Sequence, residues 1–400
     1  MSYNRPKVLL LHPGTQYSYG LARQLHMNKL LYKFCTGFAF AKDSIYYQLA
    51  SVVKPLKRRY LKDVPENRIA TNPINEFRAL YKIRKGANTE DVLFRRNEIF
   101  QHGISDKLLK EADIVIGYDT TCWITAERCR QMGKTFILDA SIGHPVSKEK
   151  IFKQIADKYP QWSSQIMPKN EFYIDSEKRE MELANLIVVP STFVKNTYIE
   201  NGIDPSKIII NPFGTDVENF KPATKEKRDN QKLVFLFFGS LNARKGLPLL
   251  LDAWEELALP NAELRLAGYE KIPASVSIPT SVKVIGPVLK EKRTELFDQS
   301  DVFVFPSYYE GLAQVQIEAA ASGLPVIGTT HSGASEIVEH SKSGFVIDAG
   351  NKEQLKQVIQ YFADHPWEIQ KMGTIGRSIA EKFTWDNYGN RWKKIIEQII

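Results

Sequence analysis

Two acidic residues eight positions apart, Glu310 and Glu318, bracket a run of small and apolar residues in YYEGLAQVQIEAAASG. The pattern from Leu312 to Ala321 predicts a helix stopped by Ser322 and Gly323, with Glu310 just ahead of its first turn. On a helical rise the second carboxylate lies roughly 12 Å further along, about the span of a sugar, a diphosphate and a ribose. Carboxylates accept hydrogen bonds from hydroxyl groups, and free amides at a helix start, here Gly311, Leu312 and Ala313, favour phosphate. The chemistry that suits this spacing is recognition of a nucleotide sugar. A second group stands in FFGSLNARKGLPLLLDAW, where Gly239 permits a tight turn and Arg244 and Lys245 precede a helix opened by Gly246, Leu247 and Pro248. Cations held there meet phosphates, and they stabilise the charge that develops on a departing nucleoside diphosphate more than the charge of the bound substrate.

These residues need strands and turns to position them. Short β-branched or aromatic runs, each closed by Gly, Pro, Ser or Asp and followed by a helical pattern, predict βαβ units and parallel sheets. In the first half they fall at 7–11, 31–37, 113–119, 134–141, 186–191 and 207–214. In the second half they fall at 233–240, 262–268, 282–286, 301–307, 325–329 and 344–350. The charged, Pro- and Gly-containing stretch NPFGTDVENFKPATKEKRDNQK reads as the linker. The expected fold class is therefore α/β: two Rossmann-like, doubly wound parallel-sheet domains facing across a cleft. Such sheets bind ligands at the carboxyl ends of their strands.

At 400 residues the chain exceeds what one core sustains, and 43% hydrophobic with 25% charged residues is a globular composition. Cys35, Cys122 and Cys129 have neither disulfide-framework nor zinc spacing, which fits a reducing compartment. The apolar run Val8 to Leu11 is too short for a leader and no stretch reaches the length of a membrane span, so a cytoplasmic location is expected. There is no Asp-x-Asp motif, no Walker loop and no G-x-G-x-x-G after a strand. Metal-free chemistry follows, with no cofactor beyond a nucleoside diphosphate sugar as co-substrate, and a dehydrogenase is disfavoured.

EGLAQVQIEAAASGLPV resembles the mark of the family 4 retaining glycosyltransferases (GT-B fold, glycosyl transferases group 1), two glutamates within E-G-x-x-x-x-x-x-E-A-x-A-x-G-x-P-V. VVPSTFVKNTYIENGIDPSKIIINPFGTDVENFKP is similar to that family's approach to the linker, and FTWDNYGNRW to its C-terminal helix. The resemblance implies an acceptor-side domain over residues 1–214, a nucleotide-sugar domain over 215–384 and a helix at 385–400 that crosses back. It implies that Glu318 holds the donor ribose and Glu310 the transferring sugar. Gly311, Leu312, Ala313, Gln314 and Gly239 would line the donor, and the backbone at Val288 would meet the base. Lys245 carries over as a phosphate-side cation. Ser240 stands where the family has arginine, which leaves Arg244 as the candidate substitute. His144, after the strand LDAS, matches a histidine bordering the donor sugar. Gly14, followed by Thr15, matches the first of two glycines near donor and acceptor. Asp119 and Asp139 end strands where an acceptor could be oriented. The implied reaction retains the anomeric configuration through front-face attack, with the departing phosphate taking the acceptor's proton.

The net charge of +8 is concentrated locally: between Lys54 and Lys110 stand fourteen Lys or Arg against seven Asp or Glu. This basic, aromatic, largely helical stretch borders the acceptor side. Its densest part, residues 54–62, is expected to meet an anionic membrane surface. The expected partners are a nucleotide sugar and a glycan or lipid-linked acceptor, not nucleic acid, in cell-surface polysaccharide or glycolipid synthesis. Other readings are a nucleotide-sugar epimerase or phosphorylase on the same scaffold, or an inactive nucleotide-sugar-binding protein.

Overall fold

The computed structural model describes residues 5–15, 17–52, 54–166, 168–222 and 232–399. Part of the expected linker, 223–231, lies outside them, as do the side chains of Lys54 and Pro55. Two wholly parallel sheets organise the chain. The first contains β1 (Val8–His12), β2 (Leu31–Thr36), β3 (Ile69–Thr71), β4 (Ile114–Tyr118), β5 (Thr135–Asp139), β6 (Leu186–Val189) and β7 (Ile208–Ile210). Its order is β3-β2-β1-β4-β5-β6-β7. The second contains β8 (Leu233–Phe238), β9 (Ala262–Ala267), β10 (Val282–Gly286), β11 (Val302–Phe305), β12 (Val326–Thr329) and β13 (Gly344–Ile347), in the order β10-β9-β8-β11-β12-β13.

Helices cover both faces of each sheet, so central strands such as VLLLH and VFVF are buried along their whole length. That is why they read as continuous apolar runs rather than alternating ones. All twelve expected strands form. β3 was not anticipated: three residues at a sheet edge, inside the stretch read as helical, are too few to show a period.

In each sheet the order reverses beside its first strand, between β1 and β4 and between β8 and β11. Loops leaving these neighbours diverge and open a crevice, the usual ligand position in such sheets. At the second crevice the backbone is packed so closely that a Cβ on Gly268, whose φ is 152°, would come within 1.6 Å of the Gly239 carbonyl oxygen.

The helix Trp385–Glu397 packs against the first domain's helix Ser18–Met27. Gln24 donates to Asp386 at 2.8 Å, and Arg391 donates to Asn211 at 2.6 Å. Tyr388 donates its hydroxyl proton to Asp139 at 3.1 Å. The domains also meet directly beside the crevices. Tyr309 donates to the His144 carbonyl at 2.9 Å, and the Phe193 ring stacks on His331 with centroids 4.3 Å apart.

Candidate active site

The turn after β8 and the loop after β11 bring the predicted cations onto the first predicted glutamate. Asn242 accepts from the Lys245 amide at 3.1 Å, and Gly246 takes the left-handed conformation (φ 77°) at the start of the helix Leu247–Leu257. This tight turn aims both cations at the loop after β11. Arg244 Nη1 lies 2.7 Å and Lys245 Nζ 2.6 Å from the same atom, Glu310 Oε1. Ser307 Oγ donates to that oxygen at 2.8 Å. Arg244 Nη1 also donates to the Tyr309 carbonyl at 2.8 Å, which ties the turn to the loop's backbone.

Burial by itself would push the Glu310 carboxyl upward, but Arg244 and Lys245 outweigh it and hold the carboxyl below its ordinary range. Burial also pulls the Lys245 ammonium down against the attraction of Glu310. The downward shift of Lys245 reflects lost hydration. With three donors on one oxygen, Glu310 is a positioned anion with little spare basicity.

Glu318 faces a different partner. Arg293 Nη1 reaches its two carboxylate oxygens at 3.2 and 3.3 Å, and the guanidinium lies over the Phe238 ring, 5.1 Å from its centroid. Burial raises the Glu318 carboxyl, and Arg293 opposes that rise only in part. The helix carrying Glu318 begins at Gln314, two residues later than the sequence pattern indicates. The Ala313 amide is occupied, donating to the Ser332 carbonyl at 3.2 Å, which corrects the expectation of three free amides. The 12 Å rise does not apply across residues 310–313, because they are not helical. Among the described residues the amides of Gly311 and Leu312 have no hydrogen-bond partner.

Residues 219–378 match the family description "Glycosyl transferases group 1". The second domain belongs to the group 1 glycosyltransferases. The chain is similar to the MMP alpha-(1->4)-mannosyltransferase of Mycolicibacterium hassiacum, 23% identical over 73% of this chain and 72% of that enzyme. It is 28% identical to a GDP-mannose-dependent monoacylated alpha-(1-6)-phosphatidylinositol monomannoside mannosyltransferase of Corynebacterium glutamicum, over 46% of this chain and 55% of that one. The chain thus spans most of the first relative and about half of the second. The two-domain fold is shared with a sucrose-phosphate synthase from Thermosynechococcus elongatus, with a TM-score of 0.66, 18% identity and 99% of both chains covered.

The remaining predicted residues fall into two groups around this glycosyltransferase domain. Gly239 directly follows β8 at the crevice and Val288 lies half-buried after β10, both on the carboxyl-end side of the sheet. Gly311 is pressed against the first domain: a Cβ there would lie 1.8 Å from the Ser141 carbonyl oxygen, and Ser191 Oγ donates to the Gly311 carbonyl at 2.6 Å. The Gln314 side chain donates to the Gly214 carbonyl at 2.8 Å, so it secures the linker.

Across the interface, His144 caps the helix Pro145–Lys158, its Nδ1 accepting from the Val146 amide at 3.3 Å. Burial pushes its pKa down to about 4, so the ring is neutral at ordinary pH. Among the described residues, no hydrogen bond or ion pair joins it to Glu310, Arg244 or Lys245. Gly14 is buried two residues past the end of β1, where a Cβ would stand 3.5 Å from Arg96 Nη1. Asp139 is not available to an acceptor, because it is buried and both Tyr17 and Tyr388 donate to it.

Arg293, Ser307 and Tyr309 were missed. Arg293 stands in the run KEKR, which reads as a solvated surface. Ser307 and Tyr309 differ from other strand-end residues only by the partners they meet in three dimensions.

Proposed function

We propose that the chain is a retaining, metal-independent glycosyltransferase. It moves a sugar from a nucleoside diphosphate sugar to a glycan or lipid-linked saccharide in cell-surface polysaccharide or glycolipid synthesis. The observation that carries this reading is the convergence of Arg244, Lys245 and Ser307 on one oxygen of Glu310 at the second switch point. An anion already sits against both cations, so a diphosphate arriving there exchanges one counter-charge for another. Its growing charge is stabilised without reorganisation as the bond to the sugar breaks.

Retention is supported by the poor basicity of Glu310, which suits a carboxylate that orients sugar hydroxyls better than one that attacks carbon. In the front-face reaction the acceptor oxygen bonds to the anomeric carbon while the bond from that carbon to phosphate breaks. The acceptor's proton passes to the leaving phosphate. Glu318 binds the donor ribose, and Arg293 keeps that carboxylate oriented. The names of the mannosyltransferase relatives favour a saccharide or glycolipid acceptor.

Action at an anionic membrane surface is supported by a patch on the first domain. Phe38 touches both Tyr46 and Phe77 at centroid distances of 5.3 Å, joining the helices Ile45–Val52 and Pro73–Arg84. Ile45, Ile74, Phe77, Leu80 and Tyr81 are exposed on them, with exposed Lys57 and Arg58 close by. Arg59 does not contribute, since it is ion-paired with buried Glu76 at 2.7 Å. No helix among the described residues is long and apolar enough to cross a membrane.

The test is a thermal-shift panel of nucleotides and nucleotide sugars, since a ligand bound only by the native state raises its melting temperature. Proton NMR of the anomeric signal in the product of the responding donor follows. A panel without any shift, or an inverted product, defeats the reading.

A further inference from the structure

The first sheet has its own switch point, between β1 and β4, and the segment leaving β4 there carries Asp119, so far only a candidate for orienting an acceptor. Thr120, in that segment, has φ 69°. A β-branched residue is a true outlier in the left-handed region. Such strain persists where neighbours over-determine it and gathers at ligand sites. Here the Thr120 amide donates to Glu180 at 2.8 Å, and its carbonyl accepts from Asn97 at 2.9 Å.

A cavity of about 170 Å³ opens beside it. Its apolar wall is a stack of three rings: Phe94 lies 4.6 Å from Trp123 and 4.5 Å from Tyr173, with interplanar angles of 15° and 28°. The rest of the lining includes Asn97, Glu90 and the largely buried ion pair of Lys169 with Glu177. An apolar wall with a few convergent polar groups is the usual anatomy of a small-molecule site.

These groups narrow the ligand. A wall of stacked aromatic rings combined with carboxylate, ammonium and amide groups suits a molecule with apolar C–H surface and a rim of hydroxyls, which is a pyranose. A cavity of about 150 Å³ accepts a benzene ring, so this one admits a single six-membered ring. Two carboxylates against one ammonium oppose a sugar carrying its own negative charge. The pocket adjoins the interdomain contact. Thr120 follows Asp119, whose carboxylate accepts from Ser141 N at 3.1 Å and Ser141 Oγ at 2.9 Å. The Ser141 carbonyl in turn faces Gly311, beside Glu310.

We infer that this pocket binds a neutral hexopyranose residue of the acceptor glycan, a role that rests on the glycosyltransferase reading above. The experiment is saturation-transfer difference NMR on the full chain without nucleotide. The probes are the methyl glycosides of glucose, mannose and galactose, with glucuronic acid as the charged comparison. Wild type is expected to transfer saturation to the ring protons of at least one neutral glycoside and not to glucuronic acid. Ser176→Phe, which places a ring in the pocket, and Trp123→Leu, which removes part of its wall, are each expected to lose the signal. Circular dichroism melts verify that each variant is folded.

Wild type without a signal from any neutral glycoside overturns the assignment, as does a signal that survives in both folded variants. Nucleotide thermal shift on the same samples separates the two readings. A nucleotide response without sugar saturation removes the pocket alone. Saturation without any nucleotide response supports the sugar site but overturns its assignment to an acceptor.

Discussion

Gly311→Ala tests whether the contact between the domains positions the loop that carries Glu310. The glycine does not have a positive φ, so alanine meets no intrinsic backbone strain and the effect must come from packing. Its Cβ would lie 1.8 Å from the Ser141 carbonyl oxygen, 2.9 Å from the carbonyl carbon and 3.2 Å from Pro190 Cγ. The first two are backbone atoms that cannot rotate aside. Restoring ordinary contact requires the loop to withdraw by roughly 1.5 Å, and overpacking of this kind costs about 1–3 kcal/mol. The Ser191 bond to the Gly311 carbonyl is lost in the same movement. For a domain of this size about 2 kcal/mol lowers the melting temperature by roughly 4–8 °C.

The catalytic effect should be larger. Glu310 is adjacent in sequence, and a displacement of about 1 Å at a reacting centre can cost on the order of 100-fold in rate. On the proposed roles, nucleotide affinity rests mainly on Arg244 and Lys245, which lie on the turn after β8, so it should change less than turnover. The assay pairs donor turnover with nucleotide titration by calorimetry. Turnover within about threefold of wild type in a folded Gly311→Ala variant would refute the reasoning, being far smaller than the loss expected for that displacement.

Glu310→Gln removes the counter-charge of Arg244 and Lys245, so nucleoside diphosphate affinity, read by calorimetry, should hold or tighten. Turnover should fall by roughly 100-fold or more through lost positioning; weaker nucleotide binding would contradict the arrangement. Burial pushes the Asp119 carboxyl up from 3.8 to about 6, although part of its surface remains open to solvent. A carboxyl raised in the folded state disfavours folding increasingly as pH rises through that window. Asp119→Asn should therefore stabilise the protein above pH 6, with the gain fading as pH falls toward 3.8. The full shift corresponds to at most roughly 3 kcal/mol, and water at the open edge reduces it. Urea melts at both ends of the window check the sign. Lys57→Glu with Arg58→Glu should weaken sedimentation with anionic vesicles by at least about tenfold, at about 1 kcal/mol per cation. Equal pelleting removes the membrane proposal. Arg59 must be left intact in that test, because a glutamate there would face the buried carboxylate of Glu76.

The strands were legible because both faces of each sheet are covered, which forces nearly continuous apolar runs that stand out in a chain with 25% charged residues. β3 was not, since an edge strand of three residues has neither burial nor length to mark it. The helix start was misplaced because Leu312 and Ala313 have helical residue types, yet the Ala313 amide is taken by Ser332 from another segment.

From sequence alone came the repeated βα rhythm, the cations after β8 and the two glutamates, because turn chemistry and apolar periodicity are local properties. Which of those residues meet was decided by the tertiary structure. Both cations share one oxygen of Glu310, Glu318 takes Arg293 from a run that reads as solvated, His144 turns to cap a helix, and Asp139 is claimed by Tyr388 of the last helix. Partner choice among charged groups depends on distance and dehydration between segments far apart in the chain, and residue spacing carries neither.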